Sequence, residues 1–202
     1  MRTHRFSMLA VAFMLGLSPA LAQSTDTTAV DHAADHAAHA DGMAADDGVI
    51  VVKDVDARAN TPVYFSLRTN SFVDGAQKDS DAWDLSFAGT AVRLNPNAMG
   101  ALIDVAFDNV FTVYEDELKQ DSDGDLVIPG GSDQGWYSYD FMTHSVTPVP
   151  GRTLLVQTPE GTFAKVEFLS YYEGEIDDPN VIGDPRFYSF RYTLLPEGTT
   201  SF

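Results

Sequence analysis

The clearest hydrophobic pattern lies in the C-terminal quarter, from Arg152 to Leu195. Arg152-Thr-Leu-Leu-Val-Gln-Thr158 is an apolar run rich in β-formers, and Pro159-Glu-Gly161 supplies a turn. The chain returns as Thr162-Phe-Ala-Lys-Val-Glu-Phe-Leu-Ser-Tyr-Tyr172, which alternates. Ala164, Val166, Phe168 and Tyr172 share one face, and Lys165 and Glu167 point to the other. After an acidic loop, Arg186 to Leu195 alternates again, with Tyr188, Phe190, Tyr192 and Leu194 on one side. A period of two with turn residues between runs predicts antiparallel strands with one buried face.

Shorter segments carry the same signal upstream. Val49 to Val52, Pro62 to Leu67, Trp83 to Ala88, Ala91 to Asn95, Leu102 to Phe107 and Trp136 to Tyr139 all read as strands. Phe111, Tyr114 and Leu118 are three and four apart, which predicts a short helix over 111–120. About ten strands with almost no helix predict an all-β fold, a single antiparallel domain of sandwich or rolled-sheet type over 49–202.

The first 48 residues read differently. Arg2 and Arg5, the apolar run Met8 to Leu17 and the Ala20-Leu21-Ala22 site form a signal peptide over 1–22. Residues 23–48 are Ala-, Asp- and His-rich with little to bury, and read as a disordered leader. No run is long enough to span a membrane as a helix. The product is expected to be exported, to the periplasm or beyond. The chain has no cysteine, so it is expected neither to carry disulfides nor to be anchored as a Cys-linked lipoprotein.

The net charge of −18 becomes more negative once Arg2 and Arg5 leave with the signal. Such a surface repels nucleic acid and anionic membranes and favours solubility or cation binding.

Candidate chemistry is sparse. His32, His36 and His39 stand at i, i+4 and i+7, so a helix would align three imidazoles able to hold Zn²⁺, Cu²⁺ or Ni²⁺. The plainer reading is a spacer without fixed geometry. His144 is the one histidine of the β domain, so any His-based triad or acid–base pair there would need it. No nucleophile elbow, His-Glu-x-x-His or phosphate-cradling loop is present, and a non-enzymatic protein is expected. Asp121, Asp123 and Asp125 around Gly124 resemble half a calcium loop, but the closing glutamate is missing and an acidic turn is the commoner explanation.

Three segments in order resemble the HmuY family of exported haem-binding proteins. They are Ser80 to Phe87 with Val92-Arg-Leu-Asn95; Gly135-Trp-Tyr-Ser-Tyr139 with Thr143-His144; and Arg152 to Val156 with Thr158 to Phe168, closing on Phe187 to Tyr192. The resemblance covers Val49 to Pro196 and implies an all-β fold, haem or a related porphyrin as ligand, and an outer-membrane uptake receptor as partner. It also implies two axial ligands from the central region. His144 or Met142 fits one place, although neither stands at the founding member's spacing from Trp136. The segment 111–134 has no histidine or methionine, which leaves Tyr114 for the other. Tyr137 and Tyr139 would form walls of the site. Two other expectations stand beside this one: a cofactor-free interaction module on the same scaffold, or divalent-metal capture through the leader.

Overall fold

The computed structural model describes residues 43–44, 48–178 and 183–202. The signal peptide and His32, His36 and His39 lie outside them.

Twelve strands are present among the described residues, in chain order β1 Met43–Ala44, β2 Ile50–Asp56, β3 Val63–Ser66, β4 Ser71–Val73, β5 Leu85–Ala88, β6 Ala91–Leu94, β7 Met99–Ile103, β8 Tyr137–Asp140, β9 Ser145–Pro148, β10 Thr153–Gln157, β11 Phe163–Tyr172 and β12 Pro185–Leu194. They form a six-stranded antiparallel sheet ordered β1-β2-β12-β11-β10-β7, a four-stranded sheet β4-β3-β5-β6 and the separate hairpin β8-β9. The fold is all-β, with three short 3₁₀ turns and no α-helix among the described residues. Met43 and Ala44 pair with Val51 and Ile50, so the sheet reaches into the segment expected as leader.

The main core lies between the two large sheets. Tyr188, Phe190 and Tyr192 of β12 are fully buried, as the alternation predicts, and Leu194 packs at their margin. Phe190 meets Phe65 edge-on at 5.4 Å and stacks with Phe87 at 5.7 Å across the sandwich. Interdigitated aromatics suit this interface because each buries a large apolar area in a fixed orientation.

The opposite face of the large sheet is not a solvated one. Leu155, Ala101, Ile103 and Val110 form a second cluster, and Val113, Phe163 and Leu195 a third. Burial on both faces explains why Leu154-Leu155-Val156 is continuously apolar. Lys165, expected among the polar positions, is on that opposite face but buried there. Its Nζ donates to the carbonyls of Phe107 and Val110 at 3.1 and 2.9 Å and sits over the rings of Phe107 and Phe202.

Three other elements depart from the pattern. Residues 111–120 do not form a helix: only Glu115–Glu117 make a 3₁₀ turn. Their backbone groups bond elsewhere, with Val113 N donating to Thr200 O, Phe202 N to Phe111 O, and Lys119 exchanging bonds with Gly100. Phe111 and Tyr114 are exposed, so no common apolar face rewards a helix. In β11 the register shifts after Phe168 and again after Ser170. Tyr171 therefore turns inward beside Tyr172, at 4% exposure. In β2, Lys53 and Asp54 oppose the single residue Ser189, and Asp54 takes φ 54° with its N–H donated to Ser189 Oγ.

Candidate functional site

The predicted ligand residues gather, in part, on the β8-β9 hairpin. Trp136 anchors its base. The indole is 2% exposed, touches the rings of Tyr137, Phe168, Tyr171 and Tyr188, and donates Nε1–H to Thr90 O at 2.9 Å. Tyr188 donates its hydroxyl to the neighbouring Gly89 O at 2.8 Å. Two aromatics thus clamp the two-residue turn between β5 and β6, where Gly89 takes φ 60°. Burial pushes the Tyr188 hydroxyl far above the usual phenol range.

The hairpin is then fixed along its length. Tyr139 N donates to Ser132 Oγ at 2.8 Å, and Val146 N donates to the Tyr172 hydroxyl at 2.9 Å. Arg152 ties the base down, with Nε on Asp104 and NH1 on the carbonyls of Asp133 and Gly135.

Four residues, Phe141 to His144, connect the paired positions Asp140 and Ser145. Asp140 Oδ1 accepts from Met142 N at 2.7 Å and Thr143 N at 3.3 Å, a side-chain-closed turn. Those backbone donors, Met142 first, hold the Asp140 carboxyl below its usual range. His144 takes φ 57°, a left-handed conformation histidine tolerates better than most residues.

At the tip, Tyr139 OH and His144 Nδ1 are 2.7 Å apart. Phe141 packs edge-on to Tyr139 at 5.0 Å yet is 77% exposed, and Met142 is 90% exposed. Two large apolar side chains are thus left open on a loop whose backbone Asp140 closes. Phe141 was not singled out by the sequence reading, because it follows an aromatic strand and looks like its continuation. The Asp140-x-x-Thr143 turn signal is what places it at a tip.

The residues divide into two places. Tyr139, Met142 and His144 share the hairpin tip, and Tyr137 lies at the hairpin's base, half-buried against Trp136. Tyr114 is elsewhere. Its neighbour Val113 packs on Phe163 and Leu195, at the start of β11, whereas the hairpin is anchored at Tyr172, the end of β11. Ten residues of strand put roughly 30 Å between those ends. Tyr114 therefore cannot complete a coordination sphere begun by His144 in one chain. Tyr114 lines an open hollow of about 580 Å³ with Val113, Glu115, Asp116 and Glu117. Three carboxylates make it a poor seat for an anionic ligand.

The acidic turn is accounted for structurally. Asp121 Oδ1 accepts from Val127 N and Oδ2 from Leu94 N, while Asp125 pairs with Lys119. Among the described residues no group of three or more His, Cys, Asp or Glu is placed to hold a metal ion.

No family model matches the sequence, and no curated protein matches it either. Solved structures do match in fold. A Bacteroides vulgatus protein assigned as an HmuY-like haem binder aligns at TM-score 0.51 and 18% identity, covering 75% of this chain and 95% of that one. The apo form of a Tannerella forsythia HmuY analogue aligns at TM-score 0.52 and 16% identity, covering 73% and 97%. A Bacteroides fragilis protein assigned as a lipoprotein aligns at TM-score 0.51 and 18% identity, covering 75% and 93%. The fold is HmuY-like. At these identities the likeness establishes the architecture of the HmuY-like domain, and its site must be argued from its own residues.

Proposed function

We propose that this HmuY-like chain is an exported, non-enzymatic binding protein that presents the β8-β9 tip to haem or a related porphyrin for delivery to an outer-membrane receptor. The observation that carries the reading is the tip itself. It has one imidazole held by a phenol, flanked by the exposed side chains of Phe141 and Met142.

A metal-ligating histidine usually has its second ring nitrogen held by a hydrogen bond, which fixes the ring and the tautomer. The Tyr139 hydroxyl oxygen, 2.7 Å from Nδ1, accepts that bond when Nδ1 carries the proton, the tautomer that leaves the Nε2 lone pair free for iron. Phe141 and Met142 offer apolar and polarisable contact to a flat ring. The residues fit one axial position. Haem would supply its own redox and spectral chemistry, while the chain binds and orients it. The named haem binder among the structural neighbours supports the choice of ligand class.

Absorbance titration with haemin tests this. The chain is expected to give a saturable Soret shift that His144→Asn removes. Asparagine is the better replacement because it accepts the left-handed backbone at this position, where alanine is strained. A shift unchanged by His144→Asn would move the site elsewhere in the chain. No shift at all would favour the interaction-module reading, in which Phe141 and Met142 contact a protein partner. Divalent-metal capture by His32, His36 and His39 would show instead as metal binding lost when all three are replaced.

A further inference from the structure

Resting on that reading of the hairpin, we propose that the haem is held between two copies of this chain, each contributing His144 to one face of the ring. Haem iron takes axial ligands on opposite faces of a flat macrocycle. Among the described residues His144 is the sole histidine, and the methionines are Met43, Met99 and Met142. Met99 lies in β7, paired to Gln157 within the large sheet, and Met43 lies in β1 at its far edge.

Met142 cannot serve beside His144 in the same chain. Two residues of backbone span at most about 7 Å. The loop between them is closed by Asp140, and the imidazole is held against Tyr139. A segment so short and so tied does not pass around the rim of a porphyrin to reach its second face. Tyr114 is excluded by its place at the other end of β11. One chain thus offers one axial donor at this site, and the ring's second face is left over.

The surface around the donor fits a second copy. Phe141 and Met142 are the two most exposed large apolar side chains in the described chain, and both stand on the same four-residue loop as His144. Two such tips related by a two-fold axis place the same residues on both faces of a flat ligand, the self-complementary arrangement a symmetric dimer requires. The strongly negative chain charge opposes this pairing, so the ligand is needed to drive it, and salt strengthens it by screening.

The experiment is haemin titration of the exported, full-length processed chain, followed by Soret absorbance and by sedimentation velocity on the same samples. The inference predicts an endpoint at half an equivalent of haemin per chain and a haem-bearing species of twice the monomer mass. That species should persist to lower protein concentration as salt is raised. His144→Asn should lose both the endpoint and the dimer. Phe141→Ser should keep the monomer's fold, read by circular dichroism, while weakening the dimer. An endpoint at one equivalent on a monomer, abolished by His144→Asn, overturns the shared-haem inference while the haem-binding reading stands. Loss of the half-equivalent endpoint in a chain with His32, His36 and His39 all replaced by alanine also overturns it, because the second ligand would then come from the leader. Absence of any Soret change overturns both.

Discussion

Replacing Trp136 tests whether the hairpin is part of the main core or an appendage. The indole is almost fully buried and contacts four aromatic rings at centroid distances of 5.1 to 5.7 Å. Truncating such a side chain to alanine costs about 3–5 kcal/mol through lost transfer energy and cavity. Loss of the Nε1–H bond adds about 1 kcal/mol, at the low end for an unpaired acceptor because Thr90 is only half-buried. Trp136→Ala should therefore cost about 4–6 kcal/mol, a large share of the 5–15 kcal/mol typical of a domain. Trp136→Phe keeps much of the ring contact, loses the donor and should cost about 2 kcal/mol. Urea unfolding, read by far-ultraviolet circular dichroism and checked for an unchanged slope, measures both. A cost below about 1 kcal/mol for alanine would refute the argument that this residue locks β8 to the sandwich. Equal costs for phenylalanine and alanine would refute the packing argument and leave only the hydrogen bond.

Further outcomes follow from other positions. A Cβ at Gly100 would lie 2.7 Å from both Leu155 O and Leu94 Cδ1, so Gly100→Ala should cost about 1–3 kcal/mol in urea unfolding, with β7 or β10 displaced. Lys165→Met keeps the length of the side chain but strips the donor from the Phe107 and Val110 carbonyls, and should lower the melting temperature at a cost of about 2–3 kcal/mol. Burial raises the Asp84 carboxyl above its ordinary value, outweighing the Arg68 guanidinium and the Leu67 N–H that favour the charged form. The folded state then holds this proton more tightly than the unfolded chain does. Its contribution to stability falls as pH rises from the unfolded carboxyl pKa through the folded one. The stability of Asp84→Asn relative to the parent should accordingly improve as pH rises across that window, and a difference that moves the other way would contradict the assignment.

The sequence and the structure agree where one force dominates. Tyr188, Phe190 and Tyr192 alternate because a single buried face selects them, and the strand forms as the pattern requires. Phe111, Tyr114 and Leu118 have helical spacing, yet the local sequence could not reveal that Thr200 and Phe202 offer backbone partners from the far end of the chain. Lys165 looks like a surface residue until Phe107 and Phe202 close over it. The short strands β4 and β9 escaped because three or four residues carry too little period to distinguish strand from turn. At the candidate site, His144 was conspicuous as the lone histidine of the domain, whereas the separation of Tyr114 from it depends on which end of β11 each segment reaches. That is a property of topology and not of spacing along the chain.

Amide hydrogen exchange with and without haemin locates the ligand face on the chain. With the ligand at the β8-β9 tip, haemin slows exchange within 137–148 and leaves 111–119 unchanged. Protection confined to 111–119, with the hairpin unaffected, would contradict it and return the site to the hollow beside Tyr114.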